Sequence, residues 1–346
     1  MKRNVLSWVL GAAVSAFAAT AASAGTLDDI KTKGFVQCGT NPSLIGFAFP
    51  DEQNNWTGLD VDFCRAVAAA IFGDPLKVKF TPLTAKERFT ALQSGEIDIL
   101  SRNSTWTMTR DTSLGLKFAG VMYYDGQGFM VKKSLGIDSA LKLDGATVCT
   151  QTGTTTELNL ADFFKANNMK YQVVAMENDD EVSGAYDEGR CDIFTTDQSG
   201  LYATRLKLKN PEEHVVLPEI ISKEPLGPLV RQGDDAWFNV VKWTYFALLT
   251  AEEFGITQAN VEEMAKSTTN PEVQRILGVK NADGSDPGFG TGIGLPETWV
   301  VQIVKAVGNY GEVFERNVGM STPLKIARGK NALWNAGGLQ YAPPIR

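Results

Sequence analysis

The sequence predicts an α/β fold built as two similar lobes, and three observations predict it. Strand-like and helix-like segments alternate along the chain. One local plan is written twice: a helix, a Gly, two residues, Asp-Ile, an apolar residue and then hydroxyl groups. The copies are "RFTALQSGEIDILSRNST" and "VSGAYDEGRCDIFTTDQS", with Asp98 and Asp192 in matching places. The strands of both copies run into polar loops, "STWTMTR" in the first, "TGTTTE" and "TTDQ" in the second. Open α/β sheets bind ligands outside the carboxyl ends of their strands, so a site is expected at those loops.

The elements follow in order. Lys2 and Arg3 precede an uncharged, Ala-rich run from Val5 to Ala22, and "ASA" ends at Ala24. That is the form of a secretory signal. Cleavage is expected after Ala24, leaving an exported chain. No later run is apolar enough to span a bilayer, which opposes a tethered sensor. "GFVQCGT" then reads as a strand. "DVDFCRAVAAAIFG" reads as a helix with Val61, Cys64, Val67, Ala68 and Ile71 on its apolar face and Gly73 as its stop. "LKVKFTPL" alternates as a strand, "AKERFTALQSG" is a short helix with Phe89 and Leu92 inward, and "IDILS" is a buried strand. The second lobe repeats the order. "GATVCTQTGTTTELNLADFFKANN" is strand, Gly-Thr turn and helix; "KYQVVAM" is a strand; "EVSGAYDEG" is a helix ending at Gly189; "RCDIFTTDQS" is a strand running into a polar loop.

Composition narrows the function. With 33 Lys and Arg against 40 Asp and Glu the formal net charge is −7 and the pI about 5.0, which argues against nucleic acid as a partner. The single histidine, His214, sits beside two Glu and reads as a surface residue. One His supports neither a His-based zinc site nor a Ser-His-Asp triad. Cys38, Cys64, Cys149 and Cys191 show no CxxC spacing. In an oxidising compartment four Cys suggest two disulfides. Three connectivities are possible, and one bridge per lobe is the simplest. The expected pairs are Cys38–Cys64, from the first strand to the next helix, and Cys149–Cys191, on two strands that lead to ligand loops. No cofactor or metal is expected.

The loop chemistry points to a zwitterion. In "TWTMTR", Arg110 stands among hydroxyls, and a guanidinium binds a carboxylate bidentately. "TGTTTE" opens a helix whose free N–H groups at Thr154–Thr156 favour an anion. Asp197 offers the opposite charge. Carboxylate binders with one acceptor for an ammonium suit an α-amino acid.

At this point the chain resembles a known family: the periplasmic amino-acid-binding proteins of ATP-driven (ABC) uptake systems, the group of the histidine- and glutamine-binding proteins. The carrying motifs are "GTNPSLIGFAF", "WTGLDVDFCRAVA", "RFTALQSGEIDIL", "TWTMTR", "DGATVCTQTGTTTE", "RCDIFTTD" and "NYGEVFERNVG", over about Gly39 to Gly319. The C-terminal "LKIARGKNALWNAGGLQYAPPIR" and the four Cys resemble the general L-amino-acid-binding subgroup. The resemblance implies a type II periplasmic-binding-protein fold, with two hinge strands near Tyr123–Gly126 and Leu226–Arg231 and the ligand in the interlobe cleft. It divides the chain into a signal peptide (1–24), a first lobe of 25–124 plus 228–346 with a C-terminal extension, and a second lobe of 125–227. It implies a monomer in the periplasm that takes free L-amino acids of several kinds to the membrane permease of an ABC transporter.

It also implies roles. Arg110 would grip the α-carboxylate, with Thr105 and the Thr155 N–H, next to Thr156, closing the cradle. Asp197 would take the α-ammonium, helped by the Asn103 carbonyl. Asn41 would face the ligand side chain without charge. Leu44 and Ala85 fall where relatives place aromatic rings and imply a roomier, less selective pocket. The remaining polar residues read as structural: Thr107 in a turn, Trp106 in packing, Asp98 and Asp192 within the strands, Asp60 and Asp62 as caps of the first long helix, Lys86 and Arg88 as solvated helix charges. The alternative is a dehydratase-like periplasmic enzyme on the same fold. It would need a further acid or base at the reacting atom, and none stands apart from the groups the zwitterion uses.

Overall fold

The computed structural model describes residues 25–346; the signal segment read over residues 1–24, with its cleavage after Ala24, lies outside the described residues. The chain opens with α1 (Thr26–Lys33) and β1 (Val36–Thr40). A small hairpin of β2 (Phe49–Pro50) and β3 (Trp56–Thr57) leads into α2 (Leu59–Phe72). Next come β4 (Val78–Pro82), α3 (Arg88–Ser94), β5 (Ile99–Leu100), α4 (Met108–Thr112) and β6 (Leu116–Phe118). β7 (Tyr123–Asp125) leads to β8 (Gln127–Lys132), β9 (Ala146–Gln151), α5 (Thr155–Ala166), β10 (Tyr171–Met176), α6 (Asp179–Asp187), β11 (Ile193–Asp197), α7 (Gln198–Arg205) and β12 (His214–Val216). β13 (Glu224–Leu226) returns and β14 (Leu229–Arg231) rejoins the first sheet. α8 (Asp235–Glu253), α9 (Val261–Ser267), α10 (Pro271–Ile276), α11 (Trp299–Val307) and α12 (Tyr310–Asn317) follow.

Two five-stranded sheets carry the fold, in the orders β4-β1-β5-β14-β6 and β10-β9-β11-β8-β12. In each, three parallel strands come first and an antiparallel strand follows. The repeat seen in the sequence is thus a repeat in space. Asp98 accepts the Gln37 N–H at 2.7 Å and returns its own N–H to the Gln37 carbonyl at 2.9 Å. Asp192 treats Thr147 alike, at 2.9 and 3.0 Å. Both aspartates pin the start of a sheet's third strand to its second, a structural role. They differ in burial: Asp98 is buried and paired with Lys33 at 2.5 Å, while Asp192 is exposed.

The disulfides do not repeat. Cys38–Cys64 ties β1 to α2, whereas Cys149–Cys191 ties β9 to the segment two residues before β11. The register explains the difference. Cys38 pairs with Ile99, so its counterpart opposite Ile193 is Val148; Cys149 is one residue on and faces the other side of the sheet.

Packing exceeds the expected stripe on α2. Except for Arg65 and Phe72 the whole helix is buried, because it lies between the first sheet and the helices α8, α11 and α12. The helix begins at Gly58, where a Cβ would stand 2.1 Å from the Phe47 carbonyl oxygen. Its first-turn aspartates are not caps, contrary to expectation. Asp62 binds Arg316 at 2.7 Å and Asn317 at 2.8 Å, holding α12. Asp60 is turned to the loop after β5, where it accepts from Ser101 and Asn103. His214 is buried rather than at the surface, with Nδ1 2.8 Å from the Tyr186 hydroxyl.

Between the sheets β7 and β13 pair antiparallel as the crossing strands. The second crossing therefore lies at Glu224–Leu226 and meets the expected Leu226–Arg231 at Leu226, while Leu229–Arg231 belongs to the first sheet. Gly227 fits there because a Cβ would meet the Gly120 carbonyl oxygen at 1.8 Å. The C-terminal segment braces the other edge of β7. Asn331 accepts the Tyr124 N–H at 2.7 Å and donates to its carbonyl at 3.2 Å, and Gln340 donates to Val121 and Met122. An edge strand's backbone groups need partners, and two side-chain amides supply them.

Candidate functional site

The first sheet presents a cationic rim. After β5 the chain makes the turn Ser101–Asn103, with Asn103 at φ 31°, a left-handed conformation that Asn tolerates better than most residues. Asp60 holds it there, accepting the Asn103 N–H at 2.9 Å and the Ser101 hydroxyl at 2.7 Å. Burial pushes the Asp60 carboxyl up to about 6 despite these bonds and the nearby Arg102 charge. Three guanidiniums lie behind the turn, on Arg88, Arg102 and Arg110. All three are buried and none forms an ion pair among the described residues. Arg110 donates from Nη1 to the Thr105 carbonyl at 3.0 Å and lies 4.9 Å from the Phe89 ring centre. Thr107 caps its short helix by accepting the Arg110 N–H at 3.3 Å.

The second sheet presents an anionic rim. Asp197 ends β11 and precedes α7; it is buried, and its carboxylate accepts no hydrogen bond from the described residues. Burial, then the charges of Asp125 and Glu224, push its carboxyl well above the usual range, against the pull of Arg88 and Arg110. Asp179, at the start of α6, accepts from Asn41 across the cleft at 3.0 Å. Thr154 caps α5 by accepting the Glu157 N–H at 3.4 Å, which leaves the first-turn N–H groups of α5 at the cavity.

Glu224 joins the rims at the crossing strands. It accepts the hydroxyls of Thr105 at 2.6 Å, Thr155 at 2.8 Å and Ser222 at 2.6 Å, and the Asn159 amide at 2.7 Å. Further contacts span the cleft: Lys207 donates to the Ser43 carbonyl at 3.1 Å, and Lys86 lies 3.9 Å from Glu177. The lobes are therefore closed on one another. Between them lies a cavity of about 40 Å³, room for about three waters at roughly 10–15 Å³ each on that measure.

Of the residues the sequence suggested, Asn41, Leu44, Asn103, Thr105, Thr155, Thr156 and Asp197 line this cavity together. Ala85 is buried outside the lining, and Arg110 stands behind Thr105 rather than at the wall. Lys86 is exposed, as a solvated charge should be. Arg88 is not: it is turned inward on α3, while Phe89 is only partly buried. Sequence reasoning also missed Arg102, Asp179, Lys207 and Glu224. Arg102 carried a faint signal, a charge directly after a buried strand. Glu224 carried none.

Two α/β lobes closing on a polar cleft through paired crossing strands define a solute-binding protein. The chain belongs to the bacterial extracellular solute-binding proteins, family 3, whose pattern matches residues 36–260. It is 65% identical over 346 residues, the full length of both chains, to the general L-amino acid-binding periplasmic protein AapJ of Rhizobium johnstonii. It is 57% identical to the glutamate/glutamine/aspartate/asparagine-binding protein BztA of Rhodobacter capsulatus, over 96% of this chain and 97% of that one. A solved ABC transporter periplasmic binding protein from Brucella ovis, with glutathione bound, superposes at a TM-score of 0.90. It is 63% identical and covers 93% of this chain and 100% of that one. This is a binding protein and not an enzyme.

Proposed function

We propose that the protein captures free L-amino acids of several side-chain types in the periplasm and delivers them to the membrane permease of an ABC transporter. The observation that carries this reading is Asp197: a buried carboxylate at a closed cavity, without a hydrogen-bond donor among the described residues. An α-ammonium supplies the missing donor. Thr105 and the first turn of α5 receive the α-carboxylate, and the Arg110 guanidinium behind Thr105 supplies the opposing charge. Asn41 and Leu44 meet the side chain. The names of the relatives support the ligand class, since one is a general L-amino-acid binder and another takes both acidic and amide side chains.

In this reading residues 25–124 with 228–346 form one rigid lobe and 125–227 the other. They open and close about β7 and β13 by the hinge mechanism of such proteins, and the ligand favours closure through contacts made to both rims at once. The mature protein begins at Gly25 and acts as a monomer. Calorimetric titration of refolded, ligand-free protein with the common L-amino acids tests the proposal. Several should bind, with affinities within about a hundredfold of one another, or ~2.7 kcal/mol. Binding of none, or of one by a far larger margin, overturns it.

A further inference from the structure

We infer that Glu224 is a positioning residue for ligand capture: from the second crossing strand it seats the first turn of α5, and so sets how long the closed cleft holds its ligand. This rests on the amino-acid-binding reading above, in which that turn receives the α-carboxylate. Glu224 is 1% exposed and does not line the cavity, so it acts through its neighbours. Its Oε2 accepts the hydroxyls of Thr105 at 2.6 Å and Thr155 at 2.8 Å. Its Oε1 accepts the Asn159 amide at 2.7 Å and the Ser222 hydroxyl at 2.6 Å. Thr155 and Asn159 stand one turn apart on the same face of α5. A carboxylate that binds both fixes the start of the helix in rotation as well as in position.

Glu224 and the turn it holds belong to opposite sides of the cleft. β13 is fastened to the first rim by its backbone: the Trp106 N–H donates to the Pro225 carbonyl at 2.8 Å, and the Gly227 N–H to the Ser104 carbonyl at 3.0 Å. The bond from Thr105 therefore stays with that rim. α5 packs on β9 and β11 of the second sheet. Gln127, which opens β8 of that sheet, donates to the Thr156 carbonyl at 3.1 Å and holds the same turn from its own side. The bonds from Thr155 and Asn159 to Glu224 thus cross between the two sides. Parting the rims takes two donors from a buried carboxylate, and hydrogen bonds to an ionised group are the stronger kind. The protein so supplies a closing contact of its own, beside the cradle and apart from the ligand. Glu224 also takes the hydroxyl protons of Thr105 and Thr155, which leaves main-chain N–H groups as the donors for the ligand carboxylate.

The experiment is calorimetry and stopped-flow kinetics on the ligand-free mature protein with L-alanine and L-glutamate. Glu224→Ala should weaken both ligands by about tenfold or more, and by factors within about threefold of each other, because the residue touches neither side chain. The loss should appear as faster dissociation, with association changed by less than about threefold. Glu224→Gln keeps one acceptor oxygen and should lose less than Glu224→Ala. Asn159→Ala changes a half-buried helix position outside the cavity, and so tests the inference should Glu224→Ala fail to fold. It should lose about three- to tenfold in the same way. The double variant Glu224→Ala with Asn159→Ala should bind no more weakly than Glu224→Ala alone, since both act through one bond. Losses that multiply overturn the assignment, as does a loss confined to one ligand. A lowered melting temperature with wild-type dissociation rates in both single variants overturns it too, and leaves the amino-acid reading intact. A wild type that binds neither amino acid overturns that reading, and this inference with it.

Discussion

The two lobes share a strand order and a pinning aspartate, yet the rims they bring to the cleft are opposite in charge. The first rim holds Arg88, Arg102 and Arg110; the second holds Asp179 and Asp197, with Asp125 and Glu224 at the crossing strands. The difference teaches that the repeated fold decides where loops meet, and that unrepeated loop residues decide what they bind. Separated, each rim is an array of like charges partly withdrawn from water. Together they give the cleft one cationic and one anionic side, the arrangement that suits a zwitterion.

The comparison breaks most visibly if the cationic rim loses its anchor. Arg110→Met should weaken every amino acid, whatever its side chain, by about 3–5 kcal/mol, because the ligand carboxylate stays buried and unpaired. Calorimetry reads the affinity, and thermal unfolding shows that the variant is folded; affinity retained within about tenfold removes Arg110 from the cradle.

On the anionic rim Asp197→Asn should also weaken all ligands, by about 2–3 kcal/mol for a lost hydrogen bond to a charged group. It has a second signature. Burial raises the Asp197 carboxyl, and an ammonium lowers it again by favouring the ionised form. Binding to the wild type should therefore release protons, and affinity should fall as pH falls. Titration in two buffers of different protonation enthalpy measures the release, which Asp197→Asn should abolish. Equal release by the variant assigns the proton elsewhere.

A smaller effect is expected in stability. Asp60 titrates at about 6 when folded, above the ordinary value near 3.9 of an unfolded chain. Between those values the unfolded state ionises first, so stability falls as pH rises through the window and levels off above about 6. Ligand-free protein should gain about 1–1.5 kcal/mol from this group between pH 7.5 and 5, at about 1.4 kcal/mol per pKa unit. Asp60→Asn should flatten that part of the melting profile; an unchanged slope refutes the assignment. The smallest effect belongs to closure. Lys207→Ala removes the contacts with Ser43 and Asp180. It should speed ligand dissociation only a few-fold, since a partly exposed ion pair contributes about 0–1 kcal/mol, and stopped-flow fluorescence can follow it.

Much of the site was legible because its residues announce themselves locally. Asp197 follows a strand. Thr154–Thr156 open a helix after a glycine turn. Arg110 stands out among the hydroxyls of a polar loop, although it lies behind Thr105 and not at the cavity wall. Arg88 was misread for a physical reason. On a short helix with one clear apolar position, Leu92, the inward face is ambiguous by one residue, and the apolar choice of Phe89 put the charge outside. His214 was misread likewise, because neighbouring glutamates say nothing of the Tyr186 hydroxyl 28 positions away that receives its ring. Glu224 could not be found at all. Its four donors come from Thr105, Thr155, Asn159 and Ser222, which only the assembled hinge collects.

By itself the sequence determined what short-range chemistry determines: strand and helix periods, glycine stops, the doubled plan, and the loops at strand ends. The cysteine positions proposed local pairs, and the structure joins Cys38 to Cys64 and Cys149 to Cys191. The tertiary structure alone decided which charges are buried and which are paired. Burial is a property of what packs on a residue from distant segments, as α8, α11 and α12 pack on α2. Pairing depends on ångström distances between groups a hundred or more positions apart, such as Thr105 and Glu224. Coulomb energies change several-fold with that burial and distance, so the cleft's electrostatics, and with them the identity of the ligand, first exist in the folded chain.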